Sequence, residues 1–458
     1  MHPNVPQPAR TQSLPPDGRG RASVGSPNVR SPRDANGAQP NSRPRPWDPF
    51  LIAAAGLLLV GQARTHTFVP GLSALRPALL LIGLGLVLWF VQKERMRSPK
   101  RLDSSLVKVA CFIPVWATIG VPFALWQGGA ARYLIEGLAP TFLAFLIVAA
   151  SVRDLEDVRR LVGIFALGTA LYAIMAPQNP IGRAFGAGGY DPNDSGMFLV
   201  SGLPILIFFV LFGRQLWVRI AATIGALLTL FAIIDTGSRG GFLALVAVLA
   251  CMTLLMKAVK PAIRIGLVGL VVLASIPVAS SDYWERMRTI QEFDDGYSEG
   301  MDGRRNVWDR AVQYAAQNPL TGVGIDNFTV AEGLHPEIQE RIAQGLGTKY
   351  SVAHSQWYQV LAELGIPGFI SFVSMFLLAL KELWRLQGVR RGRAPPNFNS
   401  KELRAMAGAL MISLIGVMVA GSFLSNAFGM IVWAVVGMVA GLVKVTHYRH
   451  IPDPRAHL

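Results

Sequence analysis

The sequence is poor in three residue classes that soluble enzymes use freely, namely charged residues, cysteine and histidine. Of its 458 residues 16% are charged and 52% are hydrophobic, and there are only two cysteines and seven histidines. Cys111 and Cys251 both lie in apolar stretches, so neither a disulfide framework nor a metal site built on cysteine is expected. The hydrophobic fraction exceeds what the core of a soluble protein needs. It indicates that the main solvent of the chain is the lipid bilayer.

Apolar stretches of the length that crosses about 30 Å of hydrocarbon recur along the chain. We therefore predict an all-α polytopic membrane protein with about 12 transmembrane helices and one large external loop that carries short helices. The predicted spans are residues 49–62, 77–91, 106–126, 138–151, 161–176, 196–212, 217–234, 242–256, 265–280, 353–380, 405–424 and 425–443. Spans 1 to 9 thus occupy residues 49–281, the large loop residues 282–352, and spans 10 to 12 residues 353–443.

Both ends of the chain are predicted to lie in the cytoplasm. Residues 1–48 are rich in Pro and Arg and contain no apolar stretch, so they read as a disordered tail and not as a signal peptide. Residues 444–458 form a second, shorter tail. This orientation places 31 of the 43 Lys and Arg residues inside, as the positive-inside rule requires. The net charge of +15 therefore reflects membrane topology and does not require a nucleic-acid partner.

Two short external segments hold polar residues beside a predicted span. In residues 183–195, which begin with Arg183, either Asn193 or Asp194 caps the following helix or contacts a substrate. Between the seventh and eighth spans, Ser238, Arg239 and Gly240 leave almost no loop, so Arg239 is expected at the membrane boundary. There it snorkels to the interface, pairs with Asp235, or binds a ligand that the neighbouring glycines allow to approach the backbone.

Two further candidates flank the end of the large loop. Arg304 is expected at the start of a helix over residues 304–316. The tenth span is predicted to begin at Ala353, which puts His354 at its outer end with Tyr358 on the same helical face. Glu363 is about half a turn out of phase with His354 and is not expected to be its partner. No His, Cys or carboxylate cluster has the spacing of metal ligands, so no metal is predicted.

Two arginines and a histidine on one membrane face supply an anion clamp and a proton acceptor. Diphosphate is the natural anion, because arginine binds phosphate oxygens bidentately and keeps its charge in every environment. A histidine can accept the proton of an attacking hydroxyl group. The residues thus favour transfer of a group from a diphosphate carrier.

The same residues form an ordered set with a known counterpart. The set comprises Ser238-Arg239-Gly240-Gly241, then Gly303-Arg304 with Trp308, Pro319, Gly322, Gly324 and Phe328, and finally His354 with Glu363, Gly365 and Gly368. In order and spacing, over about residues 183–369, it resembles the superfamily of O-antigen ligases and O-antigen polymerases. The resemblance implies a glycosyltransferase without metal or cofactor that moves a glycan from undecaprenyl diphosphate to an acceptor hydroxyl. The reaction would take place on the extracytoplasmic face of the bacterial inner membrane.

The resemblance also assigns roles by motif matching. Arg239 and Arg304 would bind the diphosphate, with Arg183 as a third positive contact, and His354 would activate the acceptor or position the donor. Supporting residues are predicted to be Ser238, Gly240, Asn193, Ser355 and Tyr358. Ser355 stands where the family commonly has Asn.

Several alternatives stay open at the level of sequence. A single large external loop favours a ligase over a polysaccharide polymerase, which often has two such loops, and the acceptor is a glycan, a lipid or a protein. A secondary transporter would also suit a dozen spans, but transporters usually place ionisable residues near the bilayer centre, and here the spans are nearly free of them. A purely structural scaffold protein would make the ordered motifs an accident.

Overall fold

A computed structural model of the chain describes residues 45–69, 71–175, 190–276, 279, 281–288, 303–345, 351–388 and 400–448. Within these ranges the regular structure is helical. Its α-helices are α1 Pro49–Leu57, α2 Pro77–Val91, α3 Ser105–Gly120, α4 Gln127–Tyr133, α5 Ala139–Ser151, α6 Leu155–Met175, α7 Pro192–Phe212, α8 Leu216–Asp235, α9 Arg239–Leu255, α10 Pro261–Ser275, α11 Ser281–Arg288, α12 Arg304–Gln317, α13 Phe328–Leu334, α14 Pro336–Ala343, α15 Gln356–Gln387, α16 Ser400–Gly421 and α17 Met430–Tyr448. Nearly all of the predicted N-terminal tail, most of the C-terminal tail and Arg183 fall outside the described residues.

The described helices include nine stretches that are long and apolar enough to cross a membrane. Three shorter apolar helices, Pro49–Gln62, Arg239–Leu255 and Pro261–Ser275, accompany them. Each of the twelve predicted spans overlaps one of these twelve helical stretches. The chain is therefore a multi-pass membrane protein, and its described residues form helices and no strands.

The centre of the bundle is formed by α7, α16 and α17. In the most apolar stretch of each of these helices, 83%, 78% and 89% of the residues are buried inside the protein. In the corresponding stretch of Leu72–Val91, 11% are buried. α7 packs against α8, α9 and α16, and α17 packs against α5. α10 contains no buried residue and lies at the edge of the bundle. The central helices are thus shielded by protein, and the peripheral ones are left to face lipid.

The start of α7 is capped by a residue other than the two expected. Asp191, and not Asn193 or Asp194, is the N-cap: its carboxylate accepts from the backbone N–H groups of Asn193 and Asp194, and the Asp194 side chain accepts from its N–H in return. Pro192 explains the shift, because a proline with its preset φ and missing N–H is favoured at the first helical position. The side chains of Asn193 and Asp194 also form hydrogen bonds with residues outside α7.

α15 is not the continuous span that the sequence predicts. Gly365 has φ 65 and ψ −167, which breaks the helix into a short arm of residues 356–364 and a long arm of residues 366–387. The ring of Trp357 lies 5.7 Å from that of Phe372 and 5.4 Å from that of Phe376. In a continuous helix fifteen residues span about 22 Å, so the short arm must fold back along the long arm.

The large loop forms hydrogen bonds with the backbone groups at the break in α15. The backbone N–H groups of Val323 and Gly324 donate to the carbonyl oxygens of Ala362 and Glu363, over 2.8 and 3.1 Å. The indole N–H of Trp116, in α3, donates to the carbonyl of Leu364 over 3.0 Å. These bonds replace the helical partners that the break removes, as a buried backbone requires. We call this junction the elbow.

The described part of the large loop has its own small core. Val307, Tyr314, Phe328 and other apolar residues of α12 and α13 pack together against Ala353 and Ala362. At its centre the buried guanidinium of Arg310 forms an ion pair with buried Glu332, with nitrogen–oxygen distances of 2.8 and 2.5 Å. The loop is thus a packed body resting on the short arm of α15.

Candidate functional site

The starts of several helices meet at one end of the bundle, which we call the site end. At the start of α9, the Ser238 hydroxyl donates to Oδ1 of Asn193 in α7 over 2.7 Å, and it also accepts from the N–H of Gly241 over 3.0 Å. Asn426, after α16, donates to Oδ1 of Asp194 over 2.9 Å. The first turns of α7 and α9 and the end of α16 are therefore joined by side-chain hydrogen bonds.

Phe423 connects this network to the large loop. The guanidinium carbon of Arg304 lies 5.8 Å from the centroid of the Phe423 ring. A Cβ added to Gly240 would lie 3.0 Å from the Cβ of Phe423, so no side chain separates that stretch of α9 from this ring. Arg239 and Arg304 thus begin two helices that contact the same phenylalanine, although they are far apart in the sequence.

His354 lies at the same end but outside the helix that was expected to contain it. α15 begins at Gln356, and His354 adopts the left-handed conformation with φ 48, which is uncommon for a residue other than glycine. The predicted helical face shared by His354 and Tyr358 is therefore wrong. Strained backbone of this kind is found disproportionately at functional sites.

Trp308 fixes the segment around His354. Its indole N–H donates to the carbonyl of Ala353 over 3.0 Å, and its ring stacks on Tyr358 at 5.0 Å between centroids with an interplanar angle of 11°. Because Trp308 is one turn after Arg304 in α12, the same helix that carries this arginine also holds the backbone next to His354. The four-residue spacing of Arg304 and Trp308 in the sequence therefore links the position of this arginine to the segment around His354.

The short arm of α15 returns to the bundle beside the end of α16. The indole N–H of Trp357 donates to the hydroxyl of Ser422 over 2.9 Å, and the side chain of Gln356 packs directly against Gly421. Ser355 is the N-cap residue of α15, and its buried hydroxyl has no hydrogen-bond partner among the described residues. The elbow thus directs the start of α15 toward the end of α16 and not away from it.

The start of α15 lacks a side-chain cap. Among the described residues no side chain caps α15 at Ser355, whereas α9 is capped by Ser238. The first N–H groups of a helix carry a partial positive charge and bind anions readily when no side chain satisfies them. With Arg239 and Arg304, they make the site end suited to a negatively charged ligand.

Glu363 lies on the side of the short arm that faces the large loop. Its buried side chain accepts from Gln359 over 3.5 Å, and the backbone of Asp326 and Phe328 lies close to its carboxylate. Its partners therefore belong to the elbow. The motif residues Gly322, Gly324 and Gly365 lie at the same junction.

Sequence reasoning did not single out Arg64, although it is one of few arginines in the predicted short external segments. Its guanidinium carbon lies 3.8 Å from the centroid of the Tyr190 ring, next to the Asp191 cap of α7. Tyr190 is buried, and burial raises the pKa of its hydroxyl to about 12 even though the positive charge of Arg64 acts in the opposite direction. Arg64 thus adds a third guanidinium to the site end.

No group of three or more His, Cys, Asp or Glu side chains in the described ranges is arranged to hold a metal ion. Arg183 lies outside those ranges, so the structure places eight of the nine predicted site residues. All eight lie at the site end, on the starts of α7, α9, α12 and α15 or directly before them.

Residues 224–373 match the family model described as O-antigen ligase. The matched segment runs from α8 into the long arm of α15 and includes Arg239, Arg304, His354 and the elbow. It leaves out Arg64 and Asn193. The resemblance predicted from the sequence is thereby confirmed for this segment. No curated protein matches the chain.

Proposed function

We propose that the protein is a membrane glycosyltransferase of the O-antigen ligase type, which moves a glycan from a polyprenyl diphosphate carrier to an acceptor hydroxyl. The proposal places the reaction at the site end, on the extracytoplasmic face of the bacterial inner membrane. It involves neither a metal nor a cofactor. The family match over residues 224–373 supports the class of enzyme, and the arrangement of the site end supports the chemistry.

In this proposal Arg239 and Arg304 bind the diphosphate of the donor. Guanidinium groups give bidentate hydrogen bonds to phosphate oxygens, and the start of α15, which no described side chain caps, adds backbone N–H donors. Arg183, by the family resemblance, is a further contact. Positive groups placed in advance around the leaving group stabilise the charge that develops on it as the glycosidic bond breaks.

The proposed transfer is a single displacement at the anomeric carbon. The acceptor oxygen forms a bond to that carbon, the bond from the carbon to the diphosphate oxygen breaks, and polyprenyl diphosphate leaves. The proton of the acceptor hydroxyl passes to the imidazole of His354. Trp308 and Tyr358 hold the segment around His354, while Ser238 and Asn193 hold the start of α9.

One observation carries the proposal: Phe423 contacts both Arg304 and Gly240, so the arginine of α12 and the arginine of α9 belong to the same end of the bundle. The start of α15, next to His354, reaches the same end of α16 through Trp357 and Ser422. Two cationic groups stabilise a departing diphosphate, and an imidazole can accept the proton of the attacking hydroxyl.

The test is a reconstitution of the purified full chain with a polyprenyl diphosphate-linked glycan and a panel of hydroxyl acceptors, without added metal and with a chelator. We expect release of polyprenyl diphosphate and extension of one acceptor by the wild type. Arg239→Ala, Arg304→Ala and His354→Ala should each lose most of this activity. His447→Ala, an exposed histidine near the end of α17, should retain it and serves as the matched control.

Full transfer by all three site variants would overturn the assigned roles. Activity that disappears with the chelator and returns only with a divalent cation would overturn the metal-independent mechanism. Absence of transfer to every acceptor, together with uptake of a labelled solute by proteoliposomes, would favour the secondary transporter instead.

The identity of the acceptor separates a ligase from a polymerase. A polymerase extends the glycan while it remains on the carrier, so longer carrier-linked glycans would appear in the reconstitution. A ligase transfers the whole glycan to a different lipid, glycan or protein. We propose the ligase, because the sequence predicts one large external segment, at residues 282–352, and only a short one before α7.

A further inference from the structure

We infer that Arg64 is a positioning residue, which sets the start of α9, and hence Arg239, through the turn at residues 190–194. This inference rests on the proposed function, because it concerns the geometry of the proposed diphosphate site. Arg64 lies outside the segment matched by the family model and was not part of the predicted site.

The contact between Arg64 and Tyr190 is the first link. The guanidinium lies 3.8 Å from the ring centroid, well inside the range in which a cation is attracted to an aromatic face. Tyr190 is buried and its hydroxyl stays protonated at neutral pH, so the ring is a neutral partner for the cation. Arg64 itself is half-buried, where such a contact is stronger than at a fully exposed surface.

The second link is the backbone of Arg64, which has the left-handed conformation with φ 48. A non-glycine residue keeps such a conformation only where its surroundings hold it. Gln62, two residues earlier, donates from its side chain to the carbonyl of Met430 over 2.6 Å. This bond anchors the end of the first apolar helix to the start of α17. The backbone that carries the Arg64 side chain is therefore held in place.

The third link runs from Tyr190 to α9. Asp191, the next residue, caps α7, and Asn193 in the same turn accepts the hydroxyl hydrogen of Ser238 over 2.7 Å. Ser238 is the N-cap of α9, directly before Arg239. The turn is therefore bonded to Arg64 on one side and to the start of α9 on the other. Any displacement of Tyr190 is passed to Ser238 through three residues of capped turn.

The kinetic test compares Arg64→Gln with Arg64→Lys, and with Arg76→Gln as the matched control. Arg76 has nearly the same left-handed backbone, with φ 46, but is exposed. We expect Arg64→Gln to raise KM for the polyprenyl diphosphate donor by about tenfold with a smaller change in kcat. Arg64→Lys, which keeps a cation over the ring, should restore most of the loss. Arg76→Gln should change neither constant by more than about twofold.

The effect should also depend on Arg239. If Arg64 acts by positioning that residue, Arg64→Gln introduced into Arg239→Ala causes no further loss of donor affinity, because the two changes interrupt the same interaction. Additive losses would overturn the inference, as would equal behaviour of Arg64→Gln and Arg76→Gln. If Arg64 has a purely structural role, Arg64→Gln will lower the thermal midpoint, but its loss of donor affinity will not depend on Arg239. That outcome would also overturn the inference.

Hydrogen exchange of the full chain gives a readout that needs no transfer activity. We expect Arg64→Gln to exchange faster than the wild type in peptides covering residues 190–196 and 237–242, and Arg64→Lys and Arg76→Gln to match the wild type. Unchanged exchange in Arg64→Gln would overturn the inference. Faster exchange in a protein whose wild type transfers no glycan would leave the positioning link in place and reject the proposed function alone.

Discussion

The backbone N–H of Ile366 donates to the carbonyl oxygen of Pro319 over 2.8 Å, which bonds the long arm of α15 to the large loop directly after the break in the helix. In an unbroken helix this N–H would donate to Ala362, whose carbonyl here accepts from Val323 instead. The loop and the two arms of α15 are thus one bonded unit, and the site depends on that unit because the short arm begins next to His354.

The elbow should fail when Gly365 is replaced. Its backbone angles belong to a region that is essentially restricted to glycine, and an added Cβ would collide with the carbonyl of Leu320. We expect Gly365→Ala to cost about 1–3 kcal/mol and to abolish transfer. Thermal unfolding and the reconstituted assay measure the two effects. Gly388→Ala, at the other end of α15 with φ −81, is the control and should behave like the wild type.

The adjacent arginines of α12 should differ sharply in function. Arg304 lies near Phe423 and is half-buried, whereas Arg305 is exposed. Loss of one donor to a developing negative charge typically costs about 10²–10³ in kcat, so this is the expected effect of Arg304→Ala. Arg305→Ala should stay within about threefold. Equal losses in the two variants, measured in the same assay, would show that the charge of the segment matters and not the position of Arg304.

The buried ion pair of the large loop should be important for stability. Glu332→Gln leaves the buried Arg310 guanidinium without its counter-charge, which typically costs about 3–5 kcal/mol. Tyr314, which also donates to Glu332 over 2.8 Å, contributes less, about 1–2 kcal/mol for Tyr314→Phe. Limited proteolysis within residues 303–345 and thermal unfolding measure the loss. The exposed Glu337→Gln is the control, and a comparable loss in it would contradict the assignment.

The proposed orientation predicts which residues an impermeant reagent reaches. In a background with Cys111 and Cys251 replaced by serine, Ala343→Cys in the large loop should react in intact spheroplasts with a membrane-impermeant maleimide. Lys100→Cys, between the second and third predicted spans, should react only after permeabilisation. Both positions are exposed, so neither is shielded by protein. The reverse pattern would place the site end in the cytoplasm and end the proposed mechanism.

Local patterns were enough to predict most of the architecture. All twelve predicted spans overlap helices, and the eight candidate residues that the structure describes lie at one end of the bundle. The prediction was wrong at positions where contacts or neighbouring residues override the local pattern. The tenth span contains Gly365, Pro367 and Gly368, which are typical of a helix kink, but nothing in this local composition distinguishes a kink from the complete turn back that the structure has. Likewise, Asp194 has the residue type of a cap, but Pro192 moves the cap to Asp191.

The order of the amino acids was enough to predict that the chain belongs in a bilayer and which residue types lie at the predicted outer face. Both follow from the length of apolar stretches and the distribution of charge, which are properties of short segments. Three features could be seen only in the folded protein: α15 turns back on itself, Phe423 adjoins both arginine-bearing helices, and Arg64 contacts Tyr190. These are contacts between segments distant along the chain, and the packing of the whole bundle selects them.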